Sequence, residues 1–146
     1  MDGAARNTIL VVDDNADVRK ALSLRLRANG YDVLMAADGL SATAAIVKQQ
    51  PDLVILDLGL PCGDGFAVLE RLQQNDRLAE IPVVVLTGRG KMNNMNRALG
   101  AGAAAFFQKP VEDGPLLRAI WKALDRPEES TEARFGGTGS GLSIQF

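Results

Sequence analysis

The sequence predicts an α/β fold in which helices cover both faces of an open parallel sheet. Short apolar runs rich in β-branched residues occur at Ile9–Val12, Leu53–Leu56 and Val83–Leu86, and none of them alternates with polar residues. Such runs are typical of strands that are buried on both faces, as in a parallel sheet. Segments with helical period separate the runs, and this alternation favours right-handed crossovers between parallel strands.

Five βα units are predicted in series. Two weaker apolar runs, Tyr31–Ala36 and Ala103–Phe107, fit the two edge strands. The predicted helices are Ala16–Asn29, Leu40–Gln50, Phe66–Asn75, Lys91–Leu99 and Pro115–Asp125. The first helix follows a cap at Asp14 or Asn15, and the second ends just before a proline, which disfavours helical backbone in the preceding residue. Trp121 is expected to pack the last helix onto the sheet.

Composition limits the domain count and the class of protein. The chain has 146 residues, of which 47% are apolar, and this is enough for one compact domain. We predict a domain over residues 7–125 and a flexible glycine-rich tail over 126–146. A net charge of −2 gives no general attraction to nucleic acid or to an anionic membrane, and no apolar stretch is long enough to cross a bilayer.

The reactive side chains exclude several kinds of site. The single cysteine, Cys62, cannot close a disulfide within the chain, which suits the reducing cytoplasm. The sequence contains no histidine, so the chain cannot be a histidine kinase or a histidine phosphocarrier. For the same reason we expect neither a His-based catalytic triad nor a zinc site.

Polar residues stand at or shortly after the ends of four of the predicted strands. Asp13 and Asp14 follow the first strand, Asp57 the third, Thr87 the fourth, and Lys109 comes shortly after the fifth. The carboxyl ends of parallel strands line one crevice, where ligands of such sheets bind. We therefore expect three carboxylates, a hydroxyl and an ammonium group to converge there.

Three clustered carboxylates require cations. Two like charges about 4 Å apart repel by roughly 4 kcal/mol at an effective dielectric constant near 20. Lys109 supplies one positive charge, and Mg²⁺ is the divalent ion best suited to a few carboxylates, water and a phosphate oxygen. With Mg²⁺ bound, Asp57 is placed to attack a phosphoryl group, while Thr87 and Lys109 neutralise the phosphoryl oxygens.

This constellation resembles the receiver domain of two-component response regulators. The resemblance covers about residues 7–125 and is carried by the segments ILVVDDN at 9–15, DLVILDLGLPCGDGF at 52–66, VVVLTG at 83–88 and GAAAFFQKP at 102–110. It implies a CheY-like, flavodoxin-like doubly wound sheet of five strands in the order 2-1-3-4-5, with five helices.

The resemblance also implies roles for individual residues. Asp57 is the phosphoacceptor, and Asp14, Asp57 and the Gly59 carbonyl are direct Mg²⁺ ligands, whereas Asp13 binds the ion through water. Thr87 and Lys109 contact the phosphoryl group, and the Lys109–Pro110 bond is cis. Thr87 and the aromatic residue at position 106 switch together. That residue is Phe106 here, where the family more often has tyrosine, so no phenolic hydroxyl is available.

The implied function is that of a cytoplasmic phosphoacceptor switch rather than an enzyme acting on other substrates. A histidine kinase or histidine phosphotransfer protein would supply the phosphoryl group. A face formed by the fourth helix, the fifth strand and the fifth helix would then bind a downstream output protein or form a homodimer. Direct binding to nucleic acid or membrane is not expected.

Three alternatives remain at the level of sequence. A haloacid-dehalogenase-like phosphotransferase would use a similar strand-end aspartate, but it normally needs a second acid two residues later, where this chain has Gly59. The chain could also be a receiver module from a hybrid histidine kinase, since residues 134–144 resemble the glycine-rich ATP-lid segment of such kinases. The third alternative is an interaction module without phosphotransfer in vivo.

Overall fold

Strands and helices alternate along the chain, as the sequence predicts. The computed structural model describes residues 6–61, 64–88 and 92–124, and for 92–94 the backbone alone. The strands are β1 Thr8–Val12, β2 Asp32–Ala36, β3 Leu53–Leu56, β4 Val83–Thr87 and β5 Ala105–Gln108. The helices are α1 Ala16–Ala28, α2 Gly39–Gln49, α3 Asp64–Gln73, α4 Met92–Gly100 and α5 Asp113–Leu124. Cys62 and the predicted tail lie outside the described residues.

The five strands form one parallel sheet in the order β2-β1-β3-β4-β5. Both the fold class and the strand order expected from the resemblance are therefore confirmed. The order reverses between β1 and β3, because the chain first adds β2 on one side of β1 and then β3, β4 and β5 on the other. Helices that connect to opposite sides of such a sheet leave a crevice at its carboxyl edge.

Two apolar layers hold the sheet between the helices. On one face the strands pack against α2, α3 and α4, and Leu10, Val54 and Leu56 are among the buried strand residues. On the other face Ile9 and Ile55 pack against α1 and α5. Each fully buried side chain of this size contributes about 1.5–3 kcal/mol through removal of apolar surface from water. The three central strands are thus fixed from both faces, which makes their ends a rigid platform.

Helix ends follow local polar signals. The side chain of Asn15 accepts hydrogen bonds from the amides of Asp17 and Val18 at the start of α1, and Asp38 caps α2 through the amide of Ser41. Helix α5 begins at Asp113, two residues before the predicted Pro115. Proline is compatible with the first helical turn, where its missing N–H leaves no hydrogen bond unmade.

The prediction for Trp121 is wrong. Its side chain is 39% exposed, and α5 packs onto the sheet through Leu116 and Ile120 instead. The helical position of Trp121, one residue beyond Ile120, turns the indole away from the sheet-facing stripe. Over the described ranges, no helix is both long enough and apolar enough to cross a membrane.

Candidate functional site at the carboxyl edge of the sheet

The backbone of the site residues continues the hydrogen bonding of the sheet. The Asp13 amide donates to the Ala36 carbonyl at 3.1 Å, and the Asp57 amide donates to the Val12 carbonyl at 3.0 Å. On the other side of the sheet, the Lys109 amide donates to the Thr87 carbonyl at 2.9 Å. These residues are therefore held by the sheet although they follow its strands. Their side chains start from fixed points, which is what precise positioning of charge requires.

Asp13, Asp14 and Asp57 come together at this edge. One carboxylate oxygen of each can be chosen so that all three atoms lie within 4.8 Å of one another. Asp13 and Asp57 are only 3% and 5% exposed, whereas Asp14 is exposed to solvent. Two carboxylates are thus largely removed from water beside a third, so their mutual repulsion is poorly screened. The donor set consists of hard oxygen atoms and fits a magnesium-type cation rather than a soft metal.

Lys109 bridges the two buried carboxylates. Its Nζ atom lies 2.7 Å from Asp13 Oδ2 and 3.4 Å from Asp57 Oδ2. Partial burial lowers the pKa of Lys109, but the hydrogen bond to Asp13 and the charges of Asp57 and Asp13 together outweigh burial, and the net pKa is raised. The ammonium group therefore stays charged at neutral pH and neutralises part of the acidic cluster.

Two local turns orient the carboxylates. The Gly59 amide donates to Asp57 Oδ1 at 2.8 Å, and the Asn15 amide donates to Asp13 Oδ1 at 2.9 Å. Each aspartate thus has one oxygen held by a main-chain amide two residues later and the other facing Lys109. These contacts fix the rotation of both side chains. Gly59 is half-buried beside Asp57, and the role of its carbonyl as a ligand stays a prediction.

Thr87 and Phe106 lie on neighbouring strands and on the same face of the sheet. Val85 is the register partner of Phe106, and Thr87 comes two residues after Val85, so all three share one face. Thr87 is fully buried, whereas Phe106 is half-buried against the layer formed with α2, α3 and α4. Thr87 and Phe106 are therefore diagonal neighbours on one face of the sheet. The Lys109–Pro110 peptide bond is cis.

Two residues that support the site were missed by sequence reasoning. Arg19 is the fourth residue of α1, and its guanidinium donates a hydrogen bond of 2.6 Å to the Asp13 carbonyl. Gly65 lies in the first turn of α3, where an added Cβ would stand 2.6 Å from Leu58 Cα and 2.7 Å from the Asp57 carbonyl oxygen. No local pattern marks either residue, because both contacts depend on how a helix is placed against a strand end.

A cleft of about 520 Å³ opens beside the acidic cluster. Helix α1 supplies one wall through Val18, Leu22 and neighbouring residues, and the segment from Lys109 to Val111 supplies another. The cleft therefore brings an apolar surface up to the ammonium group that faces Asp57.

Comparisons with known proteins agree with this geometry. The family model described as response regulator receiver domain matches residues 9–121. RpaA from Synechocystis sp., a DNA-binding dual master transcriptional regulator, is 37% identical over 125 residues, which are 86% of this chain and 52% of RpaA. PhoB from Pseudomonas aeruginosa, a phosphate regulon transcriptional regulatory protein, is 34% identical over 82% of this chain and 52% of its own. The chain spans about half the length of the curated relatives it matches.

Solved structures give the same result. A response regulator from Chloroflexus aurantiacus is 34% identical, with a TM-score of 0.79, and the match covers 84% of this chain and all of the other. A CheY-like receiver domain protein from Methanospirillum hungatei is 30% identical, with a TM-score of 0.77, over 83% of this chain and 95% of the other. With the family model matching residues 9–121 and the solved structures sharing the fold over 83–84% of the chain, this chain belongs to the family of response regulator receiver domains.

Proposed function

We propose that the chain is a phosphoacceptor switch in which Asp57 takes a phosphoryl group from the phosphohistidine of a histidine kinase or phosphotransfer protein. The observation that carries this proposal is the position of the Asp57 carboxylate, buried beside Asp13 and Lys109 at the carboxyl edge of the sheet. In this proposal the transfer takes place in the cytoplasm.

The transfer exchanges one bond for another at phosphorus. A carboxylate oxygen of Asp57 forms a bond to phosphorus while the phosphorus–nitrogen bond of the donor breaks, and the imidazole leaves with the bonding electrons. Later, water attacks the acyl phosphate, inorganic phosphate is released and the Asp57 carboxylate is restored. The chain thus catalyses only its own phosphorylation and dephosphorylation.

Asp14, Asp57 and the Gly59 carbonyl would hold Mg²⁺, with Asp13 bound to the ion through water. When bound, the ion supplies positive charge for the phosphoryl oxygens. The chain's own residues provide the rest. Lys109 Nζ lies 3.4 Å from Asp57 Oδ2 and carries the second positive charge. The Thr87 hydroxyl would donate a hydrogen bond to a phosphoryl oxygen.

The switch would pass from the site to the face formed by α4, β5 and α5. Movement of Thr87 toward the phosphoryl group would leave space next to it, and Phe106 on the same face of the sheet would turn inward to fill that space. The surface over β5 would change as a result. We propose that this face binds an output protein, and that its second role is to form a homodimer.

Phosphorylation by a small donor tests the proposal. The protein is incubated with acetyl phosphate or phosphoramidate in Mg²⁺, and intact mass is measured over time. We expect a gain of one phosphoryl group, which Asp57→Asn and EDTA both abolish, whereas Asp17→Asn at the exposed start of α1 does not. A protein that gains no phosphoryl group, or that gains it equally with Asp57→Asn, would refute the assignment.

Lys109 has a separate test. Lys109→Ala removes the charge that faces Asp57, and we expect a variant that folds but no longer couples phosphorylation to movement of Phe106. ¹⁹F NMR of fluorophenylalanine at position 106, recorded with beryllofluoride as a phosphoryl mimic, should show a shift in the parent protein and none in the variant. An unchanged shift in Lys109→Ala would refute this role.

A further inference from the structure

The outer face of α2 carries an apolar stripe formed by Leu40, Ala44 and Val47, which we call the α2 stripe. Their spacing of four and three residues places them on one side of the helix, opposite the buried Ala42 and Ile46. Leu40 is 81% exposed and Val47 is 56% exposed, and Ala44 between them is also exposed. Solvent thus covers a continuous apolar ridge rather than a single residue.

The composition of α2 differs from that of an ordinary surface helix. Lys48 is its only charged residue, and serine, threonine and alanine occupy half of the other positions. Single exposed apolar residues are common and need no explanation. A charge-depleted apolar stripe with charged residues only at its ends is instead typical of the centre of a protein interface.

Two hollows between α2 and α3 border the stripe. The hollow next to Val47 has a volume of about 290 Å³, and the one next to Leu40 has a volume of about 200 Å³. Thr43, Val68 and Arg71 line both hollows. The larger hollow therefore lies at the end of the stripe that carries the smaller side chain, valine, and the smaller hollow lies at the end that carries leucine.

We propose that the α2 stripe is the contact of a homodimer in which two α2 helices pack antiparallel about a two-fold axis that passes close to Ala44, between positions 43 and 44. This arrangement places Leu40 of one copy against Val47 of the other, so the larger side chain meets the larger hollow. Valine then meets the smaller hollow at the same time. A two-fold contact uses one surface twice and requires such self-complementarity. Alanine at the crossing point lets the two backbones approach closely, as small residues do at helix crossings.

The charges at the two ends of α2 fit the same arrangement. Antiparallel packing places Lys48, in the last turn, near Asp38 of the other copy, at the helix start. Asp38 accepts hydrogen bonds from the Ser41 amide at 2.8 Å and from the Ser41 hydroxyl at 2.9 Å. These hydrogen bonds lower the pKa of Asp38, and its carboxylate is ionised at neutral pH. Two symmetric pairs of opposite charge would flank the apolar contact and fix its register.

The proposed dimer is separate from the switch. Helix α2 packs on the side of the sheet next to β2 and β1, whereas β5 is the opposite edge strand. Pairing through α2 leaves both the α4–β5–α5 face and the cleft beside Lys109 accessible. The dimer should therefore form without a phosphoryl donor and bring two switching surfaces into one particle.

Sedimentation velocity of the full chain, from micromolar to millimolar concentration and without phosphoryl donor, tests the contact. We expect reversible dimerisation that Ala44→Glu weakens by at least about tenfold, because it places two carboxylates together at the axis. The matched control is Leu24→Glu, which changes an exposed leucine of α1 outside the stripe and should leave dimerisation unchanged. Glutamate is a good helix former, so both variants should keep the helical circular dichroism of the parent protein.

Cysteine cross-linking identifies the helix face directly. In a Cys62→Ser background, Ala44→Cys should form a disulfide between two copies on mild oxidation, and Leu24→Cys should not. A protein that stays monomeric at the highest concentration would overturn the proposal. So would a dimer that survives Ala44→Glu, and in particular one that Leu99→Glu on the exposed face of α4 disrupts, because its contact would then lie at α4.

Discussion

The interior of the central strands and the residues that directly follow them differ completely in chemistry. Within β1, β3 and β4 the residues from Ile9 to Val12, Leu53 to Leu56 and Val83 to Leu86 are apolar and almost fully buried. One residue further along stand Asp13 and Asp57, just beyond β1 and β3, and Thr87, the last residue of β4; all three are equally buried but polar. One residue, or about 3.3 Å along each strand, therefore separates apolar side chains from polar ones. Burial of the apolar side chains stabilises the fold, whereas burial of the polar ones costs free energy unless they have a partner.

This difference shows how the molecule separates stability from function. The strand interiors contribute free energy of folding through apolar burial, and the sheet hydrogen bonds extend that rigidity to Asp13, Asp57 and Lys109. The clustered carboxylates can then be held close together although they repel one another. Four changes test this division, from the largest expected effect on stability to the smallest.

Removing a strand interior side chain should give the largest loss. Ile55→Ala leaves a cavity between β3 and the helices α1 and α5, and we expect the free energy of unfolding to fall by about 3 kcal/mol. Urea denaturation measures this loss, and isothermal titration calorimetry should show little change in the magnesium affinity of the folded variant. Leu24→Ala, at an exposed position, serves as the control and should change stability by less than about 0.5 kcal/mol. Equal losses in the two variants would contradict the division.

A single methyl group behind the site should have an intermediate effect. Gly65→Ala would place its Cβ against the backbone of Asp57 and Leu58, so α3 must shift, and we expect a loss of about 2 kcal/mol together with weaker magnesium binding. Gly100→Ala is the matched control, because an added Cβ there meets no atom within 4 Å. Because Gly100 is the last residue of α4, that change should alter the free energy of unfolding by less than about 0.5 kcal/mol. A Gly65→Ala variant that is more stable than the parent protein would show that the contact of α3 with the backbone of Asp57 and Leu58 leaves space for a Cβ atom.

Neutralising Asp57 should stabilise the protein. In EDTA, Asp57→Asn removes one member of the carboxylate cluster, and we expect a gain of about 1 kcal/mol, larger than that of Asp14→Asn at the exposed position. Adding Mg²⁺ should reduce the difference in stability between Asp57→Asn and the parent protein, because Mg²⁺ binding to the folded state stabilises the parent protein more than the variant. Thermal denaturation with and without Mg²⁺ measures both effects. A destabilised Asp57→Asn variant in EDTA would mean that attraction to Lys109 outweighs repulsion within the cluster.

The smallest effect concerns alkaline pH. Because the pKa of Lys109 is raised above its ordinary value of 10.5, its charge contributes stability that is fully present below that value and is lost as pH rises through the folded-state pKa. The difference in unfolding free energy between the parent protein and Lys109→Met should thus be constant up to about pH 10 and decrease above it. Urea titrations of both proteins at each pH measure this difference in unfolding free energy. A difference that increases above pH 10 would contradict the direction of the shift.

The elements that the sequence predicts well are those with strong local patterns. The buried runs at Ile9–Val12, Leu53–Leu56 and Val83–Leu86 lie within β1, β3 and β4. The aspartates that follow them meet at one edge because parallel strands share a direction. Trp121 was misplaced because its face on α5 depends on which side of the helix the sheet contacts. Its apolar character alone carries no such information.

The sequence by itself determined the alternation of strands and helices, the absence of histidine chemistry and the residues placed at the strand ends, since periodicity and composition act locally along the chain. Only the tertiary structure decided that Lys109 lies between Asp13 and Asp57, that Arg19 contacts the Asp13 carbonyl and that Gly65 leaves no space for a side chain. Those distances depend on the angles and depths at which helices and loops pack against the sheet, and close packing of the whole domain sets these angles.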